Sequence, residues 1–163
     1  MIFTKSAKEN YMKLAFEQAE LAQKQDEVPI GAVVVDSNGA VIGHGYNRRE
    51  LDQNALKHAE MLAISEACQN LSTWRLEHCS IFVTLEPCPM CSGAIINSRI
   101  ENVFYAAHDR KAGAAGSVVD LFKVPQFNHH RGLSGSVRAE ICNATPELFR
   151  AIRARKKTKV VCK

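Results

Sequence analysis

Hydrophobic and polar positions follow two different periods along the chain, and the changes of period divide it into helices and strands. From Lys5 to Gln25 one face collects apolar residues at helical spacing, namely Ala7, Tyr11, Leu14, Ala15, Ala19 and Ala22. Ile30 to Val35 and Ala40 to Gly45 are apolar and β-branched, and Ser37-Asn38-Gly39 between them is a turn cluster. The first part of the chain is therefore predicted to be a helix followed by a β-hairpin.

A second series of elements alternates helix and strand. Leu56 to Gln69 has helical spacing, and Pro89 to Asn97 is predicted to be a short helix. Cys79 to Leu85 and Asn102 to Ala107 are apolar at both alternating sets of positions, as expected of strands that are covered on both faces. This alternation predicts an α/β fold in which a sheet lies between layers of helices.

The last third of the chain has weaker signals. His108 to Gly135 is rich in Gly, Asn, His and Ser, with a short helical turn predicted near Val118 to Phe122. Such a long segment without a strong pattern is often functional. A final helix is predicted to begin at Thr145-Pro146-Glu147, since Thr can cap a helix and Pro suits its first turn.

Length and composition fit one ordinary domain over residues 1–163. The chain has 163 residues, of which 46% are apolar and 23% are charged. No apolar run approaches the roughly 18 residues of a membrane span, and Met1 to Asn10 lacks the apolar segment of a signal peptide. We therefore expect a cytoplasmic protein without membrane contact.

The net charge of +4 is concentrated at one end. Residues 150–163 hold seven basic residues and no acidic one, which leaves 14 basic against 17 acidic residues in the rest of the chain. A basic C-terminal helix and tail, 145–163, would suit a phosphate-rich partner such as nucleic acid. The alternative is a solvated charged tail that binds nothing.

Two short segments carry the candidate chemistry. They are His58-Ala59-Glu60 and Pro87-Cys88-Pro89-Met90-Cys91. One imidazole and two thiolates are suitable zinc ligands, and three protein ligands leave a fourth position for water. Cys-x-x-Cys alone also serves structural zinc and redox chemistry, but the two segments in this order match the signature of zinc deaminases. The six cysteines are expected to be thiols or metal ligands, because a chain in a reducing compartment rarely forms disulfides.

The predicted helices give these residues a sensible geometry. His58 and Glu60 are about 200° apart around a helix axis, so they can share an ion only off the N-terminal end of the helix. Cys88 and Cys91 begin the next helix in the same way, and the partial positive charge of both N-termini favours thiolates. Glu60 would then carry protons between the attacking water, a ring nitrogen and the leaving ammonia. The alternative for Glu60 is a solvated glutamate in a first helical turn.

At this point the chain resembles the cytidine deaminase superfamily, and within it the bacterial tRNA adenosine deaminases, the TadA family. The shared segments run through nearly the whole chain: 27–33, 45–48, 58–60, 83–94, 98–100, 109–117 and 127–129. The resemblance implies a three-layer fold with a central five-stranded mixed sheet and helices on both faces. It also implies a homodimer with one Zn²⁺ per subunit. The reaction would be hydrolytic deamination of the wobble adenosine to inosine in the anticodon loop of an arginine tRNA, by attack of zinc-bound hydroxide on C6.

The resemblance also suggests substrate contacts. Asn47 would hydrogen-bond the flipped purine, Ala59 would offer a backbone contact, and Ile30 would form a wall of the pocket. Contacts to neighbouring nucleotides and to the splayed loop would come from Asp109, Lys111, Phe149, Arg150 and Arg153. On the residues alone, Asn47 could instead cap a turn, 109–111 could be an ordinary polar loop, and Phe149 could be core. Glu86 is interpreted as a support of the Cys88 loop, outside catalysis.

The sequence departs from the family pattern at Ala112, where a polar residue or glycine is common, and at His130, where arginine is frequent. Arg131 to Val137 is rich in glycine and serine where a clearer strand is expected. Two other functions compete with tRNA editing. One is deamination of a free base or nucleoside such as guanine or cytosine, and the other is RNA binding around a structural zinc without turnover.

Overall fold

A five-stranded mixed sheet lies at the centre of the protein, whose computed structural model describes residues 3–127 and 138–141. Its strands are β1 (Gly31–Val35), β2 (Val41–Tyr46), β3 (Ser80–Val83), β4 (Asn102–Tyr105) and β5 (Arg138–Ile141). They lie in the order β2-β1-β3-β4-β5. The strand β1 is antiparallel to β2 and β3, whereas β3, β4 and β5 are mutually parallel. The predicted mixed sheet is confirmed.

Helices cover both faces of this sheet. They are α1 (Lys5–Lys24), α2 (Ala59–Leu71) and α3 (Pro89–Asn97), followed by a 3-10 helix at Leu121–Lys123. Met12, Ala15 and Phe16 of α1 pack on one face, against a cluster that includes Phe82 and Phe104. The opposite face packs against α2 and α3 through the neighbouring positions of the same strands, since side chains alternate along a strand. The three predicted layers are therefore present.

The helix α2 lies unusually close to β2 because both contribute small residues. A Cβ atom on Gly45 would overlap the carbonyl oxygen of Ala59, and one on Gly43 would overlap that of Ala63. Ala59, Ala63 and Ala67 are four residues apart and therefore share one face of α2, where all three are fully buried. This contact fixes the N-terminus of α2, where His58 and Glu60 lie, beside the end of β2.

Several predicted boundaries differ from those observed. The helix α2 begins at Ala59 rather than Leu56, because the residues between β2 and His58 form hydrogen-bonded turns. The buried face of α1 includes Met12 and Phe16, which the predicted set lacks. The last strand, which the glycine- and serine-rich segment Arg131 to Val137 left in doubt, is present at Arg138–Ile141. The short helical turn is centred slightly later than predicted.

The predicted helix from Thr145 lies outside the described residues, as do Phe149, Arg150 and Arg153. Within the described part of the chain, no helix combines the length and the apolar character needed to cross a membrane.

Candidate active site

His58, Cys88 and Cys91 form a potential metal-binding group. Their candidate ligand atoms all lie within 4.8 Å of one another. His58 presents Nδ1, which lies 3.7 Å from Sγ of Cys88 and 3.5 Å from Sγ of Cys91. The structure therefore brings together the three residues that the sequence predicted as ligands.

The spacing of these atoms suits zinc. Typical Zn–N and Zn–S bond lengths at tetrahedral angles place a nitrogen and a sulfur ligand about 3.6 Å apart. Both observed nitrogen–sulfur separations are close to that value. Two thiolates and one imidazole are soft donors, and such a set binds zinc in preference to harder cations such as magnesium.

Two helix N-termini hold the ligands in place. His58 is the N-cap of α2 and Cys88 the N-cap of α3, and neither side chain hydrogen-bonds to its own helix as a cap. Pro89 occupies the first turn of α3, where its missing N–H costs nothing. Cys91 lies one turn into α3 and is fully buried. The side chains of His58 and Cys88 are thus not used as caps and could bind an ion beyond the helix ends.

The three ligands perturb one another's protonation. Hydrogen bonds from Cys91 and with His58 lower the pKa of the Cys88 thiol to about 4. The pKa of Cys91 is raised, because its thiol donates to Cys88 and because it is buried. The hydrogen bond with Cys88 raises the pKa of His58. The hydrogen-bonded cluster therefore favours a thiolate on Cys88 and the protonated forms of Cys91 and His58.

Glu60 is buried beside these ligands. Only 4% of its surface is exposed, although it lies in the first turn of a helix, where a glutamate is usually solvated. Burial raises the pKa of its carboxyl group to about 7. A carboxyl group with this pKa can both accept and release a proton near neutral pH. Because the side chain is buried, the alternative of a solvated glutamate is wrong.

Asn47 follows β2 directly and is oriented by a second buried carboxylate. Its Nδ2 donates to Oε2 of Glu27 at 2.9 Å, and its backbone N–H donates to the carbonyl of Ile30. The other oxygen of Glu27 accepts the backbone N–H of Leu51 at 2.7 Å. Because a carboxylate only accepts hydrogen bonds, the amide of Asn47 must turn its NH₂ group toward Glu27. Sequence reasoning did not assign this role to Glu27.

The segment containing Asp109 and Lys111 lies against the metal-ligand loop. Asp109 is half-buried, and its Oδ1 accepts the backbone N–H of Lys111 at 2.9 Å, while Lys111 itself is exposed. The backbone N–H of Ala114 donates to the carbonyl of Pro87 at 2.8 Å. This segment is therefore a local turn that is attached next to Cys88.

Glu86 binds the segment that contains Asp109 and Lys111 through its carboxylate. It is buried, and it accepts hydrogen bonds from the backbone N–H groups of Asp109, Ala115 and Ser117. Burial alone would raise the pKa of Glu86, but these bonds and the one from the Ser117 hydroxyl outweigh it and lower the pKa. In the sequence, Glu86 lies between an apolar strand and Pro87, and this position could have indicated that its carboxylate is buried and hydrogen-bonded.

A buried glutamate next to a His-Cys-Cys set at two helix N-termini, on an α/β sheet covered on both faces, defines the class of zinc-site nucleobase deaminases. Comparison with known proteins identifies the family. Residues 6–153 match the family model described as MafB19-like deaminase. The tRNA-specific adenosine deaminase of Bacillus subtilis (strain 168) is 46% identical over 150 residues, which cover 91% of this chain and 92% of that protein. The chain belongs to the MafB19-like deaminase family, together with the tRNA-specific adenosine deaminases that it matches at this level.

Two solved structures support the same assignment. One comes from a study of A-to-I editing by tRNA:A34 deaminases at the wobble position of transfer RNA, and it matches with a TM-score of 0.72 and 40% identity over 80% of this chain and 97% of that one. A guanine deaminase from Bacillus subtilis matches with a TM-score of 0.60 and 31% identity over 91% of this chain and 93% of that one. The chain is thus more similar to the tRNA-editing protein than to this free-base deaminase.

Proposed function

We propose that the protein is a zinc-dependent hydrolase that converts adenosine to inosine at the wobble position of a tRNA anticodon loop. The observation that carries this proposal is the convergence of His58, Cys88 and Cys91 around the buried Glu60. The choice of tRNA rests on similarity, because the relatives named tRNA-specific adenosine deaminase are 40–46% identical over most of the chain. By the family resemblance, the RNA is an arginine tRNA.

One Zn²⁺ per subunit would be held by Nδ1 of His58 and the sulfurs of Cys88 and Cys91. When bound, zinc lowers the pKa of water and so supplies a nucleophile at neutral pH. Binding requires that Cys91 and His58 give up their protons, while Cys88 is already a thiolate.

Glu60 is proposed to move the protons. It takes a proton from the water that attacks C6 of adenine and delivers it to a ring nitrogen. It then takes the proton of the new C6 hydroxyl group and gives it to the amino group, so that the C6–N bond breaks, ammonia leaves and a C6 carbonyl remains. A general acid–base group works best when its pKa is near the working pH, and burial brings the pKa of Glu60 to about 7.

Asn47, Ile30 and Ala59 are proposed to form the base pocket. Glu27 fixes the NH₂ group of Asn47, which leaves the amide oxygen and one N–H available to the purine. Ile30 packs at the edge of the core that α2 and the sheet share, and Ala59 is the first residue of α2. All three are therefore attached to the elements that position the metal ligands.

RNA outside the pocket would meet two regions. Asp109 and Lys111 lie on the turn beside Pro87. Phe149, Arg150 and Arg153 belong to the basic C-terminal segment, 145–163, for which the sequence predicts a helix and tail. We further infer that 1–163 is a single deaminase domain that acts as a homodimer in the cytoplasm. Light scattering of the zinc-loaded protein would test the dimer, since a monomer at micromolar concentration would contradict it.

The decisive experiment compares substrates. The zinc-loaded protein is incubated with total tRNA, and the RNA is sequenced to find adenosines that are now read as guanosine; parallel reactions with free guanine, cytosine and adenosine are assayed for ammonia. We expect conversion at position 34 of tRNA and no ammonia from the free bases. Turnover of guanine or cytosine without tRNA editing would favour a free-base deaminase. No turnover of any substrate, with full zinc occupancy, would favour a structural zinc.

A further inference from the structure

Glu86 lies two residues before Cys88, and all the side-chain contacts described for it are made with one segment, residues 108–117. Its side chain is completely buried. One oxygen accepts the backbone N–H groups of Ala115 at 2.9 Å and Ser117 at 3.0 Å. The other lies 3.1 Å from the backbone N of Asp109, 3.2 Å from Nδ1 of His108, and also accepts the Ser117 hydroxyl.

These contacts use the whole hydrogen-bonding capacity of the carboxylate. A carboxylate offers about four acceptor sites, and Glu86 faces five potential donors. It therefore has no lone pair left for water or substrate, in contrast to Glu60. Glu86 cannot serve as a proton carrier without releasing the segment that surrounds it.

The segment is shaped to fit around this side chain. A Cβ atom on Gly113 would lie 2.5 Å from Cδ of Glu86 and 2.6 Å from its Oε2. A second link joins the same two regions, because the backbone N–H of Ala114 donates to the carbonyl of Pro87. Glycine at position 113 thus allows the backbone to lie directly on the carboxylate.

The attachment leaves a defined part of the segment free. Residues 109, 115 and 117 are bound to Glu86, and 110–112 lie between the bound positions. Arg110 and Lys111 are exposed, while the backbone N–H of Lys111 is held by Asp109. Two cations are therefore presented at a fixed position relative to Pro87, next to the ligand Cys88.

We propose that Glu86 is a positioning residue that locks the 108–117 segment to the metal-ligand loop and thereby places the Arg110–Lys111 turn for contact with the nucleotides that flank the target adenosine. This inference rests on the proposed function, because it requires an RNA substrate that extends beyond the reacting base. Glu86 acts on RNA binding, whereas Glu60 acts on the chemical step.

The test separates KM from kcat in three variants with an anticodon stem-loop RNA. Glu86→Gln places an NH₂ group against backbone donors, Gly113→Ala forces the segment away from Glu86, and Ser117→Ala removes one donor. We expect KM to rise at least about tenfold in the first two and by about three- to tenfold in the third. We expect the single-turnover rate at saturating RNA to change by less than about threefold, because Glu60 and Asn47 lie on other elements.

Two comparisons make the result specific. The Glu86→Gln/Gly113→Ala double variant should raise KM little more than either single variant, because both changes break the same contact. Glu66→Gln is the matched control, because Glu66 also accepts a hydrogen bond from a backbone N–H, that of His44 at 2.6 Å. Glu66 lies on α2 and makes this contact with β2 rather than with the 108–117 segment, so KM should stay within twofold of the parent value.

Each result has a clear reading. An unchanged KM in both Gly113→Ala and Ser117→Ala would overturn the inference, and these variants leave the metal-ligand loop intact if Glu86→Gln loses zinc. A lower kcat with unchanged KM and full zinc would place Glu86 in the chemistry and would also overturn it. If the parent protein edits no tRNA, the proposed function itself is wrong, which is a different failure from these.

Discussion

Two buried glutamates near the metal ligands have opposite protonation behaviour, and the cause is the number of donors that each one meets. Burial dominates for Glu60 and raises its pKa to about 7. Glu86 is at least as buried, but backbone and hydroxyl donors outweigh burial and lower its pKa. At neutral pH, Glu60 is therefore ready to exchange protons, whereas Glu86 is a fixed anion that organises its neighbours.

This difference predicts the effect of removing Glu60. Glu60→Ala should keep its fold and its zinc, because Glu60 is not one of the three ligands, but turnover should fall by at least about 10²- to 10⁴-fold, the usual contribution of a general acid–base group. Single-turnover editing of an anticodon stem-loop, with zinc content measured on the same sample, would show it. Glu66→Ala on the same helix is the control and should retain full activity. Activity of Glu60→Ala within tenfold of the parent would remove Glu60 from the mechanism.

The protonation of the ligands predicts how zinc affinity depends on pH. At pH 8 the Cys88 thiol, with a pKa of about 4, has already lost its proton, whereas the pKa of Cys91 is raised and its thiol keeps the proton. Zinc binding should therefore release the proton of Cys91 at pH 8, and the number of protons released should rise as the pH is lowered into the range where the raised pKa of His58 keeps its ring protonated. Apparent zinc affinity falls as the pH is lowered.

Calorimetry in buffers with different ionisation enthalpies measures this release. The measurement is best made in Glu60→Gln, so that the carboxyl group of Glu60 adds no proton of its own. Release of no proton at pH 8 would show that both thiols are already ionised in the metal-free protein, and it would contradict the shared-proton arrangement of Cys88 and Cys91.

At the scale of elements, the site depends on how closely α2 approaches β2. The carbonyl groups of Ala59 and Ala63 occupy the space that side chains on Gly45 and Gly43 would fill. The first residue of α2 is the neighbour of His58, so this approach sets the position of a candidate metal ligand as well as the packing of the layer. Small residues on both elements are thus required by the site and by the core together.

Adding one methyl group should therefore be costly at Gly45 and harmless at Gly93. Gly45→Ala should destabilise the protein by about 1–3 kcal/mol or more, because the new atom meets backbone rather than a movable side chain. Gly93→Ala is the matched control, because nothing lies within 4 Å of its Cβ position. Alanine in place of glycine in a helix should raise the free energy of unfolding by as much as about 1 kcal/mol. Urea unfolding of the zinc-loaded variants measures both, and equal stability of the two would contradict the close packing of α2 on β2.

The elements that sequence predicts well are those with a periodic pattern. The strands β3 and β4 are apolar on both sets of alternating positions, which predicts strands covered on both faces. The His-x-Glu motif and the Cys88-Pro89 pair each precede a segment with helical spacing, so the starts of α2 and α3 could also be predicted from the sequence. The contacts of Glu27 with Asn47 and of Glu86 with Ser117 join residues 20 and 31 positions apart. No period relates such residues, because loop contacts depend on where the folded elements bring the chain together. The strand β5, at Arg138–Ile141, could not be placed from the sequence either, since the glycine and serine residues of the preceding segment, 131–137, give no alternating signal.

At the scale of the whole molecule, the basic charge and the candidate chemistry lie in different parts of the sequence. The ligands and Glu60 lie on the sheet face that α2 and α3 cover, whereas α1 covers the opposite face. Residues 150–163 carry seven basic side chains, and the rest of the chain is slightly acidic. If tRNA is gripped by the basic end, binding affinity and the rate of chemistry should respond to different substitutions.

Replacing Lys156, Lys157 and Lys159 with alanine should weaken tRNA binding and flatten its dependence on salt. Each lost phosphate contact removes about 0.7 to 0.9 from the slope of log K against log salt, so three contacts should lower it by about 2 or more. The single-turnover rate at saturating RNA should stay nearly unchanged, since Glu60 and Asn47 are untouched. Lys5, Lys13 and Lys24, exposed on α1, provide a control that removes the same charge from the face opposite the site. An equal loss of slope in both triple variants would indicate attraction by net charge alone. An unaltered slope in the first would mean that those lysines are solvated and that the RNA is held chiefly beside the Arg110–Lys111 turn.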